Sequence, residues 1–96
     1  MLRYLILSAL YAEKQAIGQG ELVDKLSDFL NLSDEEREEK HTNGDLVFYK
    51  IVASEEFYLK EARLEVFYKT GHRITSKGRK FVNDNGISKI SLRENR

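Results

Sequence analysis

Basic side chains in the last third of the sequence are the residues best suited to bind a ligand. Five of them lie close together, at Lys69, Arg73, Lys77, Arg79 and Lys80. Lysine and arginine hold phosphate groups through charge-assisted hydrogen bonds. From Glu65 onward eight basic residues face only three acids, whereas acids outnumber bases before it. The sequence therefore predicts a molecule with one positive end that suits a polyanionic ligand.

A β-hairpin is predicted to carry the first two of these cations. Apolar and β-branched residues alternate with other types between residues 64 and 68, with the period of two that is typical of a strand. We expect the turn at Lys69-Thr70-Gly71, because glycine tolerates the positive φ that short hairpin loops require. The chain then returns antiparallel through residues 72–74. Thr75 is expected to cap a helix that carries the other three cations.

Helix one is predicted from an apolar stripe at the amino terminus, where leucine, isoleucine and alanine recur at helical spacing between residues 2 and 10. Three further apolar residues widen this surface, so the helix is either deeply buried or shares a face with a partner. They are Tyr4, Leu7 and Tyr11. A short segment at Ile17 is expected to pair with the hairpin as a third, minimal strand.

Two longer helices and a short connector are predicted between Gly20 and the hairpin. Helix two runs from about Glu21 to Leu30, and Ser33 with Glu36 forms a capping box for the connector. The third long helix runs to about Ala62 and is capped by Asp45. Its expected buried side is Phe48, Ile51, Val52, Leu59 and Ala62, and its expected outer side includes Tyr49, Lys50, Ala53 and Glu56.

Three helices, a hairpin and a closing helix are the layout of the winged helix-turn-helix, an α+β fold. Ninety-six residues make one small domain. We predict a single winged-helix domain over residues 1–85 and a carboxy-terminal tail over residues 86–96. In this layout the third helix would enter the major groove of DNA.

Several patterns that resemble reactive sites have a simpler interpretation. Gly18-Gln19-Gly20 lacks the strand and third glycine of a phosphate loop, so it is interpreted as a turn. Glu38-Glu39-Lys40 lacks the further carboxylates that a nuclease needs to hold Mg²⁺. His41 and His72 have no carboxylate at ligand spacing and are expected at the surface, and the chain has no cysteine. We therefore predict no catalytic residue, no metal and no cofactor.

The stretch from about Gly20 to Val82 carries an ordered set of motifs. They are Leu32 to Arg37 (LSDEER), Gly44, Phe48 with Val52, Tyr58-Leu59 with Ala62 and Leu64, and Gly71 with Ile74-Thr75 and Gly78-Arg79. In this set the chain resembles the winged-helix domain at the amino terminus of Mrr-type restriction proteins. The resemblance implies a domain that binds DNA and delivers a separate nuclease domain to it, and here it implies a binding module without cleavage.

The third helix departs from that family's pattern at three points. Ser54-Glu55 stands where the family tends to have a Trp-Ala pair, and Arg63 stands where it tends to have a helix-ending glycine. Ile51 occupies the position of its usual basic residue. The groove-reading chemistry of this helix therefore differs from the pattern that the resemblance implies.

The leading functional hypothesis is a non-catalytic module that binds double-stranded DNA, as a small transcriptional regulator or a stand-alone restriction-system-like domain. Tyr49 and Lys50 would meet base edges or phosphates, Lys69 and Arg73 on the wing would meet the backbone or minor groove, and Lys77, Arg79 and Lys80 would hold phosphates. Against it, Glu55 and Glu56 would repel phosphate, and the net charge of zero implies modest affinity.

The alternative is a protein-interaction or dimerisation module without DNA binding, because a fold does not dictate a function. It is favoured by the apolar surface of helix one and by Ile87, Ile90 and Leu92 in the tail. These residues would either be buried within one chain or form a symmetric homodimer, which would also suit an operator-binding repressor. The apolar run near the amino terminus ends at Glu13-Lys14 without a cleavage motif, so we expect a cytoplasmic protein with no membrane segment.

Overall fold

The computed structural model describes residues 2–69 and 71–85, which form an α+β winged-helix arrangement. Its elements are α1 (Leu2–Ala12), α2 (Gln19–Leu30), α3 (Asp34–Glu38), α4 (Val47–Glu61), β1 (Glu65–Tyr68), β2 (Gly71–Ile74) and α5 (Ser76–Asn85). The element order confirms the predicted fold, with α4 as the third long helix. Within those ranges no helix is long and apolar enough to cross a membrane. The predicted tail, with Ile87, Ile90 and Leu92, lies outside the described residues.

Helix α1 forms the centre of the core. All six residues from Leu5 to Leu10 are buried, and the helix packs against α2, α4, α5 and β2. Leu7 is therefore inside the chain. Tyr4 stacks on Phe81 with ring centroids 6.5 Å apart, and the Tyr11 hydroxyl donates to Asn83 at 2.8 Å. The wide apolar surface of helix one is thus largely used within the chain, where each buried leucine contributes about 1.5–3 kcal/mol.

The predicted caps of α3 and α5 are confirmed. Ser33 Oγ accepts from the Glu36 backbone N–H at 3.1 Å, and the Glu36 carboxylate accepts from the Ser33 N–H at 2.8 Å. These bonds stabilise the charged carboxylate and lower the pKa of Glu36. Thr75 Oγ1 accepts from the Gly78 N–H at 2.9 Å and donates to the Arg63 carbonyl at 2.7 Å. Thr75 therefore caps α5 and ties its start to the chain just after α4.

The predicted cap of α4 is wrong. The helix begins at Val47 after Leu46 and has no side-chain cap. Asp45 belongs instead to the preceding loop, where its N–H donates to Asn43 Oδ1 at 3.0 Å and its carbonyl accepts from the His41 N–H at 2.8 Å. Local backbone pairing in this loop therefore displaces the capping role that the sequence suggested.

The hairpin pairs antiparallel, with Tyr68 opposite Gly71 and Glu65 opposite Ile74. Ile17 adds the predicted minimal strand, because its N–H and C=O bond to the backbone of His72 at 3.0 and 2.7 Å. In the turn Lys69 has a positive φ of +57°, and Gly71 is already paired within β2. A Cβ on Gly71 would lie 2.6 Å from the Ile17 carbonyl oxygen, so the glycine permits the close approach of Ile17.

The expected burial of α4 is only partly correct. Val52 and Leu59 are buried as expected, whereas Ile51 is 45% exposed and Ala62 is exposed. Glu56, expected to face outward, is 1% exposed. Val52, Glu56 and Leu59 are spaced by four and three residues and so share one face of the helix. Ile51 lies about 100° around the axis from that face, and Ala62 lies beyond the helix end.

A substitution at Gly78 tests the close contact between α5 and the chain before β1. A Cβ at this position would lie 2.1 Å from the Leu64 carbonyl oxygen, so Gly78→Ala is expected to lower the free energy of unfolding by about 1–3 kcal/mol. Gly20 is the matched control, because a Cβ there would meet nothing within 4 Å and Gly20→Ala should stabilise α2 by about 0.5–1 kcal/mol. Urea denaturation measures both, and a stabilising Gly78→Ala would contradict the packing.

Substitutions at Arg63 test the backbone strain just after α4. Its φ is +62°, a left-handed conformation that costs a side chain about 1–2 kcal/mol, and it occupies the position where the resembled family tends to have glycine. Arg63→Gly should therefore raise the free energy of unfolding by roughly 0.5–1 kcal/mol. Arg63→Ala is the control and should give no such gain, since alanine retains the Cβ. Equal effects of the two substitutions would exclude strain as the cause.

Candidate nucleic-acid interface

The wing brings two of the predicted DNA-binding residues together. Lys69 and Arg73 line an open hollow of about 300 Å³ with Tyr68 and residues 14–16. The Lys69 ammonium lies 5.4 Å and the Arg73 guanidinium 5.9 Å from the centroid of the Tyr68 ring. Lys14 joins this group because the Ile17 bridge holds the preceding loop against β2. We call Lys14, Lys69 and Arg73 the wing cluster.

Lys77 lies at the other end of the hairpin, next to the end of α4. Its ammonium donates to the Ala62 carbonyl at 3.1 Å, which satisfies an orphan carbonyl beyond the helix end. Lys60 and Arg63 line an adjoining hollow of about 390 Å³ with Glu65 and Thr75. Lys77 is therefore near two cations that the sequence interpretation did not select.

Arg79 and Lys80 are engaged elsewhere on α5. The Arg79 guanidinium donates to the carbonyls of Tyr11 and Glu13 at 3.5 and 3.4 Å and lies 5.2 Å from the Tyr11 ring centroid. It thereby supports the carboxy-terminal end of α1. Lys80 forms an ion pair with Asp84 at 2.7 Å, and the hydrogen bond to that carboxylate raises the pKa of Lys80. Neither side chain lines the hollow of the wing cluster.

Tyr49 and Lys50 lie in the first turn of α4. The Lys50 ammonium is 3.7 Å from the Asp45 carboxylate. Tyr49 is 37% exposed and lines a hollow of about 260 Å³ between α2 and α4. The structure thus places these two residues on α4 as predicted, although Lys50 has an acidic neighbour.

Glu55 and Glu56, the two acids expected to repel phosphate from α4, are not free at its surface. Glu55 forms a salt bridge with Arg3, whose guanidinium also lies 4.4 Å from the Tyr58 ring centroid. Glu56 is buried. The exposed residues of α4 include the charged Lys50, Lys60 and Glu61 and several large apolar or aromatic ones. The latter are Tyr49, Ile51, Phe57 and Tyr58.

A buried charged cluster holds the hairpin against α4. His72 Nδ1 lies 2.9 Å from Glu56 Oε2 and 3.1 Å from Glu65 Oε2, with its hydrogen bond directed to Glu65. All three residues are at most 4% exposed. The prediction that His72 is a surface residue is therefore wrong, because two carboxylates distant in sequence meet its ring. His41, the other histidine, is exposed as expected.

The carboxylates change the protonation of the imidazole. Burial by itself lowers the pKa of His72, but the contacts with Glu56 and Glu65 outweigh it and raise the pKa to about 9. Loss of solvation raises the pKa of Glu65, against the opposing effect of His72. At neutral pH the cluster therefore contains an imidazolium between two carboxyl groups.

One sequence pattern indicates that Glu56 lies on the buried face of α4, and another indicates that Lys14 lies near the wing. Glu56 stands four residues after Val52 and three before Leu59, so the stripe that contains both apolar residues also contains this acid. The expected pairing of Ile17 with the hairpin places the nearby Lys14 beside the wing. The meeting of His72 with both acids has no local signal, because the three residues come from α4, β1 and β2.

A helical body with a two-stranded hairpin before its closing helix defines the class of winged-helix domains. Within that class, the family model of the Mrr N-terminal domain matches residues 2–84. The chain therefore belongs to the Mrr N-terminal domain family. The match includes α1, beyond the stretch on which the sequence resemblance rested. No curated protein and no solved structure shows a significant match to the chain.

The buried cluster predicts a pH-dependent stability. The usual pKa of 6.5 for His72 rises to about 9 on folding, so the stabilisation is complete below about pH 6.5 and is lost as the pH rises through 9. The raised pKa of Glu65 acts in the same direction. In buffer with EDTA, urea denaturation should show a loss on the order of 2–3 kcal/mol between pH 6.5 and 9, at about 1.4 kcal/mol per pKa unit.

His41 and Glu56 provide the controls for that experiment. His41→Gln should retain the pH dependence because His41 is exposed. Glu56→Gln removes one of the carboxylates that favour the imidazolium and should reduce the dependence. Equal stability of the wild-type chain at both ends of the range would contradict the buried ion pair.

Proposed function

We propose that this domain binds double-stranded DNA without cleaving it, and that the wing cluster makes the principal contact. The observation that carries the proposal is that the cations of the wing cluster form no ion pairs with carboxylates in the described part of the chain. Within residues 2–69 and 71–85, no carboxylate forms an ion pair with Lys14, Lys69 or Arg73. Several cations elsewhere have acidic partners. They are Arg3, Lys25, Arg37, Lys50 and Lys80.

Cations without acidic partners are the ones that phosphate recruits at least cost. A paired lysine must give up its carboxylate before it binds phosphate, whereas Lys69 and Arg73 have no carboxylate to give up within the described part of the chain and contact the uncharged Tyr68 ring. The guanidinium of Arg73 offers five donors and suits a bidentate contact with one phosphate. The wing of a winged-helix domain follows the DNA backbone or minor groove, and its position next to α4 suits that use.

Lys50, Tyr49 and Lys77 extend the proposed contact along α4 and the start of α5. Lys77 uses one of its three donors on the Ala62 carbonyl and keeps two for phosphate. Arg79 and Lys80 are proposed only as weaker contacts, because the first supports α1 and the second pairs with Asp84. The family match supports a DNA-binding role of restriction-system type, and a role in transcription regulation stays a prediction.

A protein-interaction module is the second candidate, and a different surface favours it. Large apolar side chains on α4 and β1 are 45–58% exposed, which is typical of a surface that meets a partner. They are Ile51, Phe57, Tyr58, Val66, Phe67 and Tyr68. A homodimer through helix one and residues 86–96 stays a prediction, although Leu7 is inside the chain.

Titration against a mixed-sequence duplex tests the proposed function. We expect binding at low salt whose affinity falls steeply as salt rises, because phosphate contacts release counterions. Lys69→Glu combined with Arg73→Glu should lower the affinity at least about 100-fold at fixed salt. Fluorescence anisotropy with a labelled duplex measures both effects.

A second double variant separates the wing cluster from net charge. Lys25→Glu with Lys40→Glu makes the same change in net charge outside the wing cluster, and it should retain most of the affinity. Two outcomes would oppose the proposal: absence of binding by the wild-type chain at low salt, or equal losses in the two double variants. Either result would favour the interaction module.

A further inference from the structure

We propose that Glu56, Glu65 and His72 form a buried site for a divalent transition-metal ion, with Zn²⁺ as the best-suited occupant. The three side chains come from α4, β1 and β2, so the site would lie between the hairpin and the third long helix. Among the residues that the structure describes, they are the one group of potential metal ligands whose atoms gather closely, all within 4.8 Å of one another.

The distances within the cluster are close to those around a metal ion. Zinc binds imidazole nitrogen and carboxylate oxygen at about 2.0–2.2 Å, which in a tetrahedral site places neighbouring ligand atoms about 3.3–3.6 Å apart. The His72 nitrogen lies 2.9 Å from one carboxylate oxygen and 3.1 Å from the other, and all three ligand atoms lie within 4.8 Å of one another. Small shifts of these side chains would therefore admit the ion, and side chains fixed in the core cost little to organise.

Buried oxygens without hydrogen-bond partners are the independent observation that points to a cation. Oε1 of Glu56 and Oε1 of Glu65 are buried without a partner in the described structure, whereas Glu56 Oε2 lies 2.9 Å from the His72 nitrogen. The side chains of Glu56 and Glu65 are 1% and 0% exposed. Buried polar atoms in native proteins nearly always have partners, because an unmet carboxylate oxygen in the core is costly. A cation between these oxygens would satisfy them together.

Charge balance favours a divalent ion. Two carboxylates and a neutral imidazole carry a charge of −2, which one divalent cation cancels. A mixed set of imidazole and carboxylate ligands suits zinc and related transition metals better than Mg²⁺ or Ca²⁺, which prefer oxygen alone. In the alternative arrangement protons neutralise the cluster instead, with one on the imidazole and one shared by the carboxyl groups. Metal binding must displace them and would therefore release protons.

The proposed ion would fix the wing to α4, independently of whether the domain binds DNA. Its ligands span both strands of the hairpin and the middle of α4, so a bound ion would cross-link the two parts. The ring of Phe67 lies 5.2 Å from that of His72 on the hairpin side of the cluster, and Glu65 also lines the hollow beside Lys60 and Arg63. Three protein ligands leave the fourth position of a tetrahedral zinc ion to a second carboxylate oxygen or a water molecule, and the cross-link between α4 and the hairpin is the role that we propose for the ion.

The test uses the full chain after dialysis against EDTA, with Zn²⁺ alone as the probe and no DNA present. Isothermal titration calorimetry should show one ion per chain. The melting temperature should rise by about 10 °C when free Zn²⁺ exceeds the Kd 100-fold. His72→Gln and Glu56→Gln should each weaken binding at least tenfold, whereas His41→Gln should bind as the wild type does.

Nuclear magnetic resonance of the wild-type chain keeps the test decisive if a variant fails to fold. Zn²⁺ should shift the imidazole nitrogen signals of His72 and leave those of His41 unchanged. The proposal is overturned if no ion binds, if only the His41 signals move, or if both cluster variants bind with wild-type affinity. Each of these results would mean that protons alone neutralise the cluster. None of them bears on the DNA titration, which is run separately in EDTA.

Discussion

The attachment of the hairpin to the helical body is the constraint on which the rest of this structure depends. Two strands of four residues are marginal in water by themselves. Here the hairpin is held at three places, by the backbone pairing of Ile17 with His72, by the buried contact of His72 with Glu56, and by the Thr75 hydroxyl on the Arg63 carbonyl. Because these contacts come from different elements, the wing has a defined position relative to α4.

That attachment also determines which cations face solution without a partner. The Ile17 pairing brings Lys14 to Lys69 and Arg73, although the loop before Ile17 is remote from the hairpin in sequence. The same packing turns Glu56 into the core and leaves Glu55 to Arg3, so the acidic character of α4 in the sequence is much reduced at its surface. Net charge alone hides this arrangement, because it counts buried and paired acids as if they were exposed.

The departures from the family pattern acquire physical meaning in the structure. Arg63 has a left-handed backbone conformation where the family tends to have glycine, so the chain keeps the shape of that turn and accepts some strain. Ile51, which replaces a usual basic residue, is exposed, as are Phe57 and Tyr58 on the same helix. The surface of α4 consequently combines apolar and aromatic side chains with the exposed Lys50 and Lys60, and the wing cluster lies outside this helix.

The sequence by itself determined the elements and their local contacts. The helical stripe of residues 2–10, the Ser33–Glu36 box and the Thr75 cap act over a few residues, and each appears in the structure as predicted. The alternation before Lys69 correctly predicted a strand, but within β1 only Glu65 is buried. Only the tertiary structure decided the environment of Glu56, Glu65 and His72, the exposure of Ile51 and the neighbours of Lys14. Periodicity identifies an element, but the face that it buries depends on the partner that packs against it. Since those partners lie far away in the chain, no local pattern contains them.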